Sequence, residues 1–137
     1  MERVREIRLF IHSLPPRELS PNARVHWRVK YSVAEAWKTL VWVAIQEWMQ
    51  TYGTLDPSQF PIPKARIDYI FQTATRHKRD PDNYVAMMKP ALDMLVQMGI
   101  LAGDDGEHLT LGDVKFVVGV EPAPATIIVL RPDEVEG

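Results

Sequence analysis

Four aspartates carry the chemistry that this sequence most directly supports. Asp80 and Asp82 flank Pro81, and Asp104 and Asp105 stand together some 22 residues further on. Carboxylate oxygens are hard ligands. With no cysteine and no paired histidine nearby, three or four of them suit Mg²⁺ or Mn²⁺. Such an ion lowers the pKa of a bound water and stabilises charge on a phosphodiester under in-line attack. The same residues have plainer uses. Asp80 can cap a helix, Asp82 can complement its dipole, and Asp-Asp-Gly is a common turn. Spacing alone leaves both readings open.

Lys89 extends the pattern. On a helix turning about 100° per residue it comes within about 20° of Asp82, with Ala86 as a gap between them. Asp93 falls on the same face. A lysine there can neutralise a phosphate or a leaving oxygen. Read plainly, Lys89 and Asp93 are an i,i+4 ion pair worth about 0.3 kcal/mol. Cations also collect at Arg76-His77-Lys78-Arg79 and through Arg24, His26, Arg28 and Lys30. They can bind phosphates without reading sequence, or they can be solvated turns. Trp27 lies among them and can stack on a base or anchor its loop. Of the histidines, His12, His26, His77 and His108 show no paired spacing. Only His108, three residues past Asp105, is a candidate. There is no Gly-x-Ser-x-Gly and no glycine-rich phosphate loop, which argues against serine hydrolases and nucleotide-binding loops.

These residues need elements to hold them. Residues 6–12 are β-branched and aromatic and predict a strand, stopped by Pro15-Pro16. Residues 15–30 read as a long loop. Ser32 with Glu35 forms a capping-box pattern. From there Val33, Trp37, Leu40, Val41, Ala44, Ile45 and Trp48 predict a helix to about Gly53. A second strand over 66–73 alternates Ile67, Tyr69 and Phe71 against a wetter face. Asp80-Pro81 starts a second helix that Gly99 ends, and Pro90 inside it predicts a kink or two abutting helices. Uninterrupted, that helix of about 18 residues spans about 27 Å. An acidic loop over 100–111 must therefore fold back if the aspartates are to meet. Val114–Val120 and Thr126–Leu130 predict two closing strands, and the last seven residues are polar and predict fraying. The order β–α–β–α–β–β predicts an α+β fold, a single mixed sheet of about four strands with two main helices packed on it.

Composition sets the bounds. The 137 residues are 46% hydrophobic and 25% charged, as in one compact domain over 1–137. No cysteine means no disulfide and no thiol chemistry. No apolar run approaches 18 residues and no signal-peptide core opens the chain, so a cytoplasmic, non-membrane protein is expected. The net charge of −2 hides an asymmetry: residues 1–30 carry seven Lys/Arg against three acids, residues 101–137 two against eight.

At these residues the sequence resembles the RusA family of Holliday-junction resolvases. The match runs through Arg79-Asp80-Pro81-Asp82-Asn83, then Lys89-Pro90-Ala91-Leu92-Asp93-Met94-Leu95, then Gly99-Ile100-Leu101 and Asp104-Asp105. A weaker match lies in Leu14-Pro15-Pro16 with Asn22 and Arg24. The motifs cover residues 76–108, and the rest agrees by element order. The resemblance implies a Mg²⁺-dependent homodimeric endonuclease that nicks two strands of a four-way DNA junction symmetrically. It implies metal ligation by Asp80, Asp82 and the Asp104–Asp105 pair, with Asp105 the preferred third ligand. Lys89 corresponds to the family's lysine once three residues are inserted after Asn83, a shift of about 4.5 Å along a helix. Arg24, Arg28, Lys30, Arg76, Lys78 and Arg79 are the expected phosphate contacts. Two alternatives share the fold: a DNA-binding or packaging accessory without turnover, marked by scattered carboxylates, and a metal-dependent phosphodiesterase on other branched or small substrates.

Overall fold

The computed structural model of the chain describes residues 4–133. Strand β1 (Ile7–Ile11) leads through a 3₁₀ turn at Arg17–Leu19 into a long helix, α1 (Trp27–Tyr52). Strand β2 (Ala65–Thr73) is followed by two short helices, α2 (Pro81–Met87) and α3 (Lys89–Gln97), and by strands β3 (Leu109–Val118) and β4 (Ala125–Pro132). The four strands form one sheet in the order β1-β4-β2-β3. β2 and β3 run parallel, while β4 is antiparallel to both β1 and β2. The fold is α+β with a single mixed sheet, as the element order predicts.

The core follows from alternation. Ile7, Leu9 and Ile11 of β1 are buried while Arg8 and Phe10 are exposed. Their inward face, with Ile67, Tyr69 and Phe71 of β2, packs in one cluster with Trp37, Val41, Ala44 and Ile45 of α1 and Ala91 and Leu95 of α3. β4 is buried from Ala125 to Leu130, because it is an inner strand.

Four local expectations change. β3 opens at Leu109, inside the expected acidic loop, and ends at Val118 rather than Val120. α1 starts at Trp27, not after Ser32. His26 is its cap, its Nδ1 accepting the Arg28 N–H at 3.1 Å. No breaker separates the two positions, so Ser32 lies inside the helix and the capping box is unused. Arg28 and Lys30 are therefore helical rather than on a loop. On β2, Asp68 and Gln72 are buried on what alternation reads as the wetter face. Of the last seven residues, Arg131 and Pro132 belong to β4, and 134–137 lie outside the described residues.

The second helix breaks as Pro90 predicts. Proline has no N–H and its ring crowds the preceding turn. Met88 joins α2 to α3, its N–H bonding to the Val85 carbonyl at 3.1 Å. Gly99, at φ 78°, ends α3 in the left-handed region that suits glycine. α2 is held to the sheet by Tyr84, whose ring centroid is 5.0 Å from both Phe71 and Phe116.

Candidate nucleic-acid and metal site

The site is built around α2 and the start of α3. Asp80 caps α2, its Oδ1 accepting the Asp82 N–H at 3.0 Å, with Pro81 in the first turn. The plainer use of this carboxylate is thus realised. Both Asp80 and Asp82 remain exposed. The next residue, Asn83, accepts a hydrogen bond from the Ser20 hydroxyl at 2.9 Å. That contact draws the proline-rich loop onto α2. Between them lies an open cleft of about 510 Å³, lined in part by Pro15, Asn22, Val25, Asn83 and Tyr84.

Lys89 opens α3 and meets two carboxylates. Its Nζ lies 3.0 Å from Asp93, the i,i+4 partner, and also binds Asp104 of the acidic loop. The Asp104 hydrogen bond and then the Asp93 one raise the Lys89 ammonium above the usual amine range. Asp104 also acts on the phenol of Tyr69, which is pushed above its ordinary value chiefly by burial and then by this negative charge. The loop reaches this position because Ile62 and Leu101 form a parallel bridge, with the Ile62 N–H bonded to the Ile100 carbonyl at 2.8 Å.

Asp105 has a different task. Its Oδ1 accepts the Glu107 N–H at 2.9 Å and lies 2.8 Å from His108 Nδ1. The His108 hydrogen bond, then the Glu107 one, hold its carboxyl below the usual range. A Cβ at Gly103 would sit 2.8 Å from His108 Nδ1 and 3.3 Å from Asp105 Oδ2, so glycine leaves room for this pair to close over it. Adjacent in sequence, Asp104 and Asp105 are committed to different partners.

The donor chemistry of the four aspartates fits a hard divalent cation. Their arrangement does not form a ligand set. Among the described residues no three aspartate, glutamate or histidine side chains are gathered into a group that could hold a metal ion. Asp104 is held by Lys89 and Asp105 by His108.

The cations divide by commitment. Arg79 donates to the Tyr84 hydroxyl at 2.9 Å and to the Thr75 carbonyl at 3.4 Å, and its guanidinium lies 6.0 Å from the Tyr84 ring centroid. It fastens the loop after β2 to α2. Arg76 and Lys78 are exposed and form no ion pair among the described residues. The same holds for Arg24. Lys30 is half-buried, and Arg28 lies 5.3 Å from the Trp27 ring centroid.

Ser20 and Tyr69 escape a reading of the sequence. Ser20 has no motif of its own; its role comes from a partner 63 positions away. Tyr69 is legible as core, and only its nearness to Asp104 links it to the site.

Fold and site together define an α+β domain with a carboxylate- and cation-bearing helical edge. Comparison with models of known protein families, and with curated proteins, gives no match.

Proposed function

We propose that the protein is a Mg²⁺-dependent, structure-selective DNA endonuclease of the cytoplasm, resolving four-way junctions as a homodimer through paired symmetric nicks. Mn²⁺ is the natural substitute ion. One observation carries the reading. The Ser20–Asn83 and Lys89–Asp104 contacts bring onto α2 and the start of α3 a loop 63 positions before Asn83 and an acidic loop 15 positions after Lys89. These are the stretches through which the sequence resembles the junction resolvases. The reading requires Asp80, Asp82 and one of Asp104 and Asp105 to be drawn together around the ion.

A second reading is a DNA-binding accessory without turnover, supported by the commitment of Asp104 to Lys89 and of Asp105 to His108. One experiment divides the two. A synthetic four-way junction is titrated with the protein, and nicking is followed with Mg²⁺ or Mn²⁺. The endonuclease reading expects symmetric nicks that Asp80→Asn and Asp82→Asn abolish. Binding by those variants should be retained or tighter, since repulsion from phosphate is relieved. Tight binding by the wild-type chain with no nicking under either ion establishes the accessory instead.

A further inference from the structure

The first two turns of α1 carry an aromatic pair that the fold does not use. Trp27 is 67% exposed and Tyr31 66% exposed, although large aromatic rings normally dominate cores. They stand at i and i+4, so they share one face of the helix. Trp27 does not anchor its loop: His26 provides the cap, and the Ser20–Asn83 bond holds the loop to α2. Around the rings cations outnumber acids, with Glu35 standing one turn beyond Tyr31. From Leu19 to Ala34 there is no acid, while Arg24, Arg28 and Lys30 are all present. Arg28 already stacks its guanidinium against the Trp27 ring. Val25, two residues before Trp27, lines the cleft beside Asn83.

Exposed rings interleaved with an excess of cations are complementary to a flexible polyanion whose repeating units present flat faces. An unpaired nucleic-acid strand has that chemistry, whereas a fully paired duplex hides its base faces in the stack. We propose that Trp27 and Tyr31 form a stacking platform for unpaired DNA bases, with Arg24, Arg28 and Lys30 binding the flanking phosphates. The proposal rests on the DNA-directed reading above and adds to it the feature of the substrate that this face holds.

The test uses the full chain and three probes: a 20-nucleotide oligothymidylate, a duplex of equal length, and a four-way junction with 2-aminopurine at the branch. Binding is measured by anisotropy at several salt concentrations. Trp27→Ala and Tyr31→Ala should each weaken oligothymidylate binding about tenfold, as expected for loss of one stacked base. The duplex should be affected little and the salt slope should not change. Trp27→Phe should recover most of the loss. Quenching of 2-aminopurine by the wild-type chain should disappear in Trp27→Ala. Unchanged oligothymidylate binding, or equal loss on single strand and duplex, overturns the platform. So does sedimentation showing that Trp27→Ala turns a dimer into a monomer, since the rings would then face a second copy. Junction nicking with an indifferent Trp27 leaves the nuclease standing without the platform. Trp27-dependent single-strand binding without nicking does the reverse.

Discussion

The Ser20 hydroxyl donates to the side-chain oxygen of Asn83, 2.9 Å away across 63 positions of chain. Ser20 is buried, and its oxygen also accepts the Asn22 N–H at 3.2 Å. One side chain thus shapes its own turn and fixes that turn to the helix capped by Asp80. Removing either partner should cost about 1 kcal/mol. The two losses should not add: the Ser20→Ala, Asn83→Ala double variant should fall short of their sum, as contacting residues do. Urea denaturation of the four proteins checks this. Full additivity would mean the bond contributes nothing.

Lys89 stands between Asp93 and Asp104. If its charge serves where negative charge develops on a phosphate, Lys89→Ala should lower single-turnover nicking about 100-fold with little loss of junction binding. Normal nicking would reduce Lys89 to a tie between α3 and the acidic loop.

Arg76 and Lys78 are exposed and form no ion pair among the described residues, whereas Arg79 is engaged with Tyr84 and Thr75. Replacing Arg76 and Lys78 by Ala should flatten the dependence of log affinity on log salt by up to about 2, near 0.9 per lost phosphate contact. Arg79→Ala should instead lower the unfolding midpoint as well. Binding titrations at several salt concentrations, with thermal melts alongside, separate the two effects. An unchanged slope in the double variant would identify the run as a solvated turn.

Asp105 supplies a pH dependence of known sign. Its carboxyl pKa is lowered in the folded chain, first by His108 and then by the Glu107 N–H. A depressed folded pKa means the stabilisation is present above the unfolded value and is lost as pH falls through the folded one. Acidification through the lower carboxylate range should therefore loosen the acidic loop. His108→Ala should move the Asp105 titration back up towards the ordinary range. Carboxyl-carbon NMR of the two proteins measures this directly. An unmoved titration would show that the imidazole is not its partner.

Much of this frame is legible in sequence where the signal is local. Asp80-Pro81 marks the start of α2, Pro90 its break from α3, and the i,i+4 spacing the Lys89–Asp93 pair. The start of α1 is missed because its cap is an imidazole rather than the Ser32 hydroxyl. The Lys89–Asp104 contact is hidden because it depends on the bridge between Ile62 and Leu101, which joins segments distant in sequence. Asp68 illustrates the limit of alternation. Its position on β2 reads as wet, yet Arg66, Arg131 and the Asp113 N–H all converge on its carboxylate. A shift of register between Ile67 and Tyr69 brings β3 close there. Gly112 leaves the space, since a Cβ on it would sit 2.0 Å from Asp68 Oδ1.

The place of β4 between β1 and β2 bears on how the chain can be synthesised. Neighbouring strands lie about 4.8 Å apart, so β1 and β2 must wait with a gap of about 10 Å, two strand spacings wide. The segment that fills it is the last of the four strands in chain order. Until Ala125–Pro132 emerges, the inner edges of β1 and β2 expose unpaired backbone groups that invite pairing with other chains. The nascent protein should therefore depend on holding chaperones until β4 has emerged, and a ribosome stalled before β4 should display an open, aggregation-prone half-sheet.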